Sequence, residues 1–109
     1  HQCVVFPGSK RWQFENGQSI EPPHTYVVND GEAMRYMLEN GMGIGMKSLW
    51  NAGGSLKSGK LVKVLPDNPL TTESAIWALY PGRRIVAPKV RVMIDFLVEQ
   101  FLPAPTWEQ

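Results

Sequence analysis

The apolar positions of this chain change rhythm near residue 29. Before it they come in short runs or alternate with polar residues. Cys3-Val4-Val5-Phe6 is an apolar run broken by Pro7-Gly8, which predicts a buried strand. Arg11-Trp12-Gln13-Phe14-Glu15 alternates, which predicts a half-buried one. Asn16-Gly17 follows, and both residues tolerate positive φ, so a hairpin is expected with Gln18-Ser19-Ile20 returning. Pro22-Pro23 ends that strand, because neither proline can donate to a ladder. Thr25-Tyr26-Val27-Val28 is β-branched and aromatic and predicts a fourth strand.

Helical spacing then takes over. Asn29 is the expected cap, with Glu32 three residues on closing a capping box. Ala33, Met34, Met37 and Leu38 would share one face, and Gly41 would end the helix in the left-handed region. Gly43-Ile44-Gly45-Met46 is short and small, as in a central strand packed closely by its neighbours. Ser48 opens a second helix with Leu49, Trp50 and Ala52. Gly53-Gly54 should leave it short or frayed, since each glycine costs about 1 kcal/mol relative to alanine. Leu61-Val62-Lys63-Val64-Leu65 predicts a strand, Pro66-Asp67-Asn68-Pro69 a loop, and Ser74 to Tyr80 a long buried strand. Pro88 suits a first helical turn. Val90, Met93, Ile94, Leu97 and Phe101 then form a stripe, with Arg91, Asp95 and Glu99 outside it, and Pro103-Ala104-Pro105 ends the helix. The order β-β-β-β-α-β-α-β-β-α predicts an α/β fold with a mixed sheet flanked by helices.

A net charge of +1 gives no argument for nucleic acid or an anionic membrane as partner. No apolar run approaches the ~20 residues of a membrane span. The single cysteine cannot form an internal disulfide, which fits a reducing compartment. The chain opens on His1 and strand-like sequence begins almost at once, so a piece of a longer protein is expected.

Few residues carry chemistry. Cys3 lies inside an apolar run, which makes a thiol inert. With His1 and His24 it gives too few ligands, at the wrong spacing, for a structural metal. Gly41-x-Gly43-x-Gly45 follows a helix and lacks the spacing of a dinucleotide loop, so close backbone packing is the better reading. Ser58-Gly59-Lys60 lacks the upstream glycine of a phosphate loop and reads as a surface turn. Arg83-Arg84 with Lys89 and Arg91 lacks interleaved aromatics and reads as a solvated turn. Trp12, Phe14, Trp50 and Trp77 read as core. No catalytic residue, metal ligand or cofactor follows. Asn29-Asp30-Gly31 is the most informative step. A strand there meets a helix N-terminus, whose free N–H groups and positive dipole end suit a carboxylate or another anion. Simple capping is the alternative.

Five segments together resemble one family. They are Trp12-x-Phe14, Val28-Asn29-Asp30-Gly31-Glu32-Ala33, Gly41-Met42-Gly43-Ile44, Gly59-Lys60-Leu61-Val62-x-Val64-Leu65-Pro66, and Tyr80-Pro81 through Leu97. Their order and spacing are similar to those of the effector-binding domain of LysR-type transcriptional regulators. The resemblance implies a lobe of the periplasmic-binding-protein type II kind. Residues 1–81 would be the second lobe, and residues 82–109 the terminal helix and tail returning to the first lobe. The first lobe and the winged helix-turn-helix domain would be absent from the chain, so DNA would be reached only through that absent domain.

The resemblance also implies a small-molecule effector, with anions among the candidates, in a cleft between lobes. Val28, Asn29 and Asp30 would face it, with Met46 and, more weakly, Phe6. A homodimer or higher oligomer, a cytoplasmic location, no membrane partner, no cofactor and no enzymatic activity are further expectations. A lobe of an extracytoplasmic solute-binding protein of the same fold is the alternative. Two departures from the family pattern stand out: Ala87 where many members carry a capping serine, and Gly53-Gly54 where many carry helix formers.

Overall fold

The computed structural model describes residues 1–8, 11–71, 75–82 and 85–105. The chain divides into two compact units, His1–Thr72 and Glu73–Gln109.

In the first unit the buried run becomes β1 (Val4–Val5), with Val4 and Val5 fully covered. The hairpin forms as expected from β2 (Trp12–Gln13) and β3 (Ser19–Ile20), antiparallel, with Trp12 opposite Ile20. Gly17 takes φ 85° in its turn. The next strand is β4 (Tyr26–Val27), parallel to β1, with Val4 opposite Tyr26 and Val5 opposite Val27. Parallel and antiparallel pairing thus both occur, but in two separate small sheets and not in one mixed sheet. The hairpin gains a third member at the end of the expected Pro66-Asp67-Asn68-Pro69 loop and in the two residues after it. Phe14 bridges Leu70, and the Glu15 and Thr71 amides donate to Pro69 and Gln13 carbonyls.

Helix α1 (Gly31–Glu39) starts one residue later than expected. Asp30, not Asn29, is its cap, because its carboxylate accepts from both the Glu32 and Ala33 amides, at 2.7 and 3.0 Å. Met34 is buried, and Met37 and Leu38 are half-buried; Ala33 points outward. The helix packs on β1 and ends at Gly41, which takes φ 74° as expected. Helix α2 (Leu49–Lys57) is short, at nine residues, as expected, and it continues through Gly53-Gly54. Its buried face is Ala52, Gly53 and Ser55, all small, and that face lets it lie against α1. Ser48 stands at its cap position, but the hydroxyl makes no capping bond.

Gly43–Met46 contributes a single bridge, Ile44 to Cys3, parallel to β1. Two expected strands are not formed. Leu61 is tied by its amide to the Ser55 carbonyl, and Val62, Val64 and Leu65 are exposed. Leu65 has φ 53°, which breaks the extended run. β-propensity marks residues that fit a half-buried pleated surface, and no partner strand supplies one here.

The second unit holds the other missing strand. Residues 75–80 form no ladder, and Trp77 and Leu79 are 76% and 91% exposed. Ser74 and the basic pair Arg83-Arg84 lie outside the described residues. Helix α3 (Pro88–Phe101) opens on Pro88 as expected, with Ala87 at the cap position and no side-chain capping bond. It buries none of its residues: Val90 and Ile94 are half-covered, and Met93, Leu97 and Phe101 are exposed. Of the four aromatics expected in a core, Trp12 and Phe14 are half-buried, but Trp50 and Trp77 are exposed.

Candidate functional site

The register of the parallel pairing decides which residues meet. β1 lies between β4 and the Ile44 segment. The Val28 amide donates to the Val5 carbonyl, and the Val4 amide donates to the Ile44 carbonyl, both at 2.9 Å. All three segments run in one direction. Their carboxyl ends therefore emerge along one edge: Phe6 from β1, Val28-Asn29-Asp30 from β4, and Met46-Lys47 from the third segment. All five sequence-expected site residues lie on this edge. Phe6 and Val28 are half-buried, and Asn29, Asp30 and Met46 are exposed. Open α/β sheets bind ligands at such carboxyl edges.

Two glycines allow the third segment to sit this close. At Gly43 a Cβ would stand 2.3 Å from the Gln2 carbonyl oxygen. At Gly45 it would stand 3.0 Å from a Leu38 methyl and 3.2 Å from the Val4 carbonyl oxygen. Close backbone packing, the expected reading of Gly41-x-Gly43-x-Gly45, thus holds for Gly43 and Gly45, whereas Gly41 has open space around it and serves the turn that ends α1.

Capping assigns different work to the neighbours Asn29 and Asp30. Asp30 spends its carboxylate on α1, whereas among the described residues Asn29 makes no side-chain hydrogen bond. Lys47 is the residue the sequence reading missed. Its Nζ donates to the Gly31 carbonyl at 2.8 Å and lies 6.0 Å from the centre of the Phe6 ring. Desolvation lowers its pKa, partly offset by the Glu32 charge. Its position two residues beyond Gly45 was legible. Its approach to Phe6 required the parallel register.

A second polar cluster joins α1 to α2. Arg35 pairs with Glu32 at 2.6 Å and with Glu39 at 2.8 Å. The Asn51 amide donates to Glu32 and the Ser55 hydroxyl to Glu39. A shallow hollow here is lined in part by Trp50, Asn51, Ser55 and Lys60; another lies at the start of α3, by Ile85 and Val92. Neither contains Phe6, Val28, Asn29, Asp30 or Met46. Among the described residues no group of three His, Cys, Asp or Glu side chains converges as for a metal.

The cluster makes the packing of the two helices acid-sensitive. The Ser55 hydroxyl, and less strongly Arg35, hold the Glu39 carboxyl below its ordinary 4.5; the Glu39 side chain is only 9% exposed. A carboxylate with a depressed folded-state pKa stabilises the fold above its unfolded value, and that contribution disappears as pH falls through the folded one. The unfolding midpoint should therefore drop on acidification below about pH 4.5. Glu39→Gln should be less stable at neutral pH and show a shallower acid slope. An unchanged slope in circular-dichroism melts would refute this role.

The sequence matches the family described as the LysR substrate binding domain over residues 1–102. The chain belongs to that family. It is similar to the HTH-type transcriptional regulator DmlR of Escherichia coli K12, 33% identical over 83% of this chain and 30% of the relative. It is 35% identical to the HTH-type transcriptional activator TtdR of Escherichia coli K12, over 89% of this chain and 33% of the relative. It is 30% identical to the HTH-type transcriptional regulator CrgA of Neisseria meningitidis, over 92% of this chain and 35% of the relative. The chain thus spans about a third of the length of these relatives. No solved structure gives a significant match. Among the described residues no helix is long and apolar enough to cross a membrane.

Proposed function

We propose that this chain is the effector-sensing part of a LysR-type transcriptional regulator, and that a small molecule binds at the carboxyl edge of its parallel sheet. The observation that carries this reading is convergence. Three chain segments of a substrate binding domain bring Phe6, Val28-Asn29-Asp30 and Met46 to one edge. The finer reading is a periplasmic-binding-protein type II lobe. Residues 1–81 belong to the second lobe, and residues 82–109 return to a first lobe encoded elsewhere in the whole regulator. The exposed Met93 and Val92 of α3 support this, because apolar side chains open on a helix suit packing against another part of the protein.

The mechanism follows from linkage. A ligand held between lobes favours the arrangement it binds best, and that bias reaches DNA through the helix-turn-helix domain. The chain is non-catalytic in this reading, works in the cytoplasm, and assembles as a homodimer or higher oligomer. The regulator names of its relatives favour this over a solute-binding protein.

Calorimetry of the whole regulator against a metabolite panel, followed by a reporter assay with Asn29→Ala, tests the site. Removing one ligand hydrogen bond costs about 1 kcal/mol, so half-maximal response should need about fivefold more effector. Operator affinity should hold within about twofold. Equal loss of both would place Asn29 outside the ligand site.

A further inference from the structure

We propose that Lys47 is the cationic contact of this edge and that the ligand it grips carries a single carboxylate. The inference rests on the edge being the ligand site, as argued above, and adds the chemical class of the ligand.

Three observations carry it. Lys47 is half-buried, with its Nζ held beside the Phe6 ring at the end of the central strand. Among the described residues no carboxylate forms an ion pair with it; the ion pairs present belong to Arg35. An ammonium has three donors, and the Gly31 carbonyl uses one, leaving two without a protein acceptor among the described residues. Holding a cation partly out of water with no carboxylate in direct contact is costly, and an incoming anion relieves that cost. The desolvation of Lys47 noted above agrees with this geometry. The ring beside the ammonium adds an apolar wall for the body of the ligand.

Charge count selects the class of anion. Asp30 and Glu32 lie close enough to act on Lys47. Glu32 is committed to Arg35 and Asn51, and Asp30 to the amides of α1. Attraction and repulsion both double for a phosphate dianion, and because Asp30 and Glu32 answer the positive charges of Lys47 and Arg35, its second charge gains no net attraction at this edge. One lysine therefore matches one carboxylate.

The test is amide chemical-shift titration of the labelled 109-residue chain with benzoate, acetate, benzyl alcohol and inorganic phosphate. Benzoate and acetate should give saturable shifts at Phe6, Gly31 and Lys47. Lys47→Met should weaken both at least about tenfold, and Lys47→Arg should stay within about threefold of the unsubstituted chain. A dispersed spectrum shows that each variant folds, and the arginine variant keeps the charge if the methionine variant does not fold. Equal carboxylate affinity in the unsubstituted chain and Lys47→Met, or no saturable carboxylate shift, overturns the role of Lys47. Phosphate binding tighter than acetate overturns the ligand class. In these cases the edge can still be the ligand site, as benzyl alcohol shifts at Val28 and Met46 would indicate. Carboxylate shifts confined to the α1–α2 cluster would overturn both readings.

Discussion

Gly43→Ala should cost the first unit about 3 kcal/mol or more, with the chain largely unfolded at ambient temperature if its starting stability is modest. Two effects add. Gly43 sits at φ 151°, where an L side chain is strained by roughly 1–3 kcal/mol. Its new Cβ would also lie 2.3 Å from the Gln2 carbonyl oxygen, which is backbone and cannot rotate aside. That same oxygen accepts from the Ile44 amide at 3.0 Å, so relieving the clash breaks the bond that seats the third segment. Met46 and Lys47 follow directly in sequence, so whatever folded population survives should also lose the alignment of the ligand edge. Denaturant unfolding checks the first effect and ligand titration the second. A variant within about 1 kcal/mol of the parent would show that the Gln2–Gly43 approach is not needed for folding.

Met34→Ala should cost about 2–5 kcal/mol. Met34 is 1% exposed and is, with Val4, among the largest side chains fully covered. It lies on α1, whose packing on β1 also sets where Asp30 and Gly31 stand relative to the edge. The covered apolar set among the described residues is small, essentially Cys3, Val4, Val5, Met34 and Ala52, so a cavity there has few neighbours able to collapse into it. Met34→Leu keeps the volume and should cost less than about 1.5 kcal/mol. Urea-unfolding midpoints of the two variants should therefore separate clearly; coincident midpoints would mean that α1 is not anchored through this residue.

The difference between Asn29 and Asp30 shows where sequence reading ran out. Either residue can cap a helix, and Glu32 three residues beyond Asn29 made a capping box plausible. The structure gives the cap to Asp30 and sends Glu32 sideways to Arg35 and Asn51. The partner on α2 that draws Glu32 away is nineteen residues distant, beyond the reach of any local pattern. Gly53-Gly54 makes the same point. Propensity counts each glycine as a weakness, yet the small face of α2 is what fits against α1. In the other direction, Leu61–Leu65 and Trp77–Tyr80 carry strong strand composition and form no ladder. A strand is a pairing, and composition cannot supply the partner.

Local chemistry determined what a few consecutive residues can settle alone: the Asn16-Gly17 hairpin, the turn at Gly41, the start of α3 at Pro88, the absence of a membrane-length apolar run, and the ordered motifs that mark the family. Those features depend on backbone sterics and short spacings, which are written in adjacent letters. Only the tertiary structure decided that β1 pairs in parallel with both β4 and Ile44, and hence that Lys47 stands beside Phe6 at the same edge as Asn29. Parallel register joins segments some twenty and forty residues apart through backbone hydrogen bonds, and backbone groups are the same in every residue.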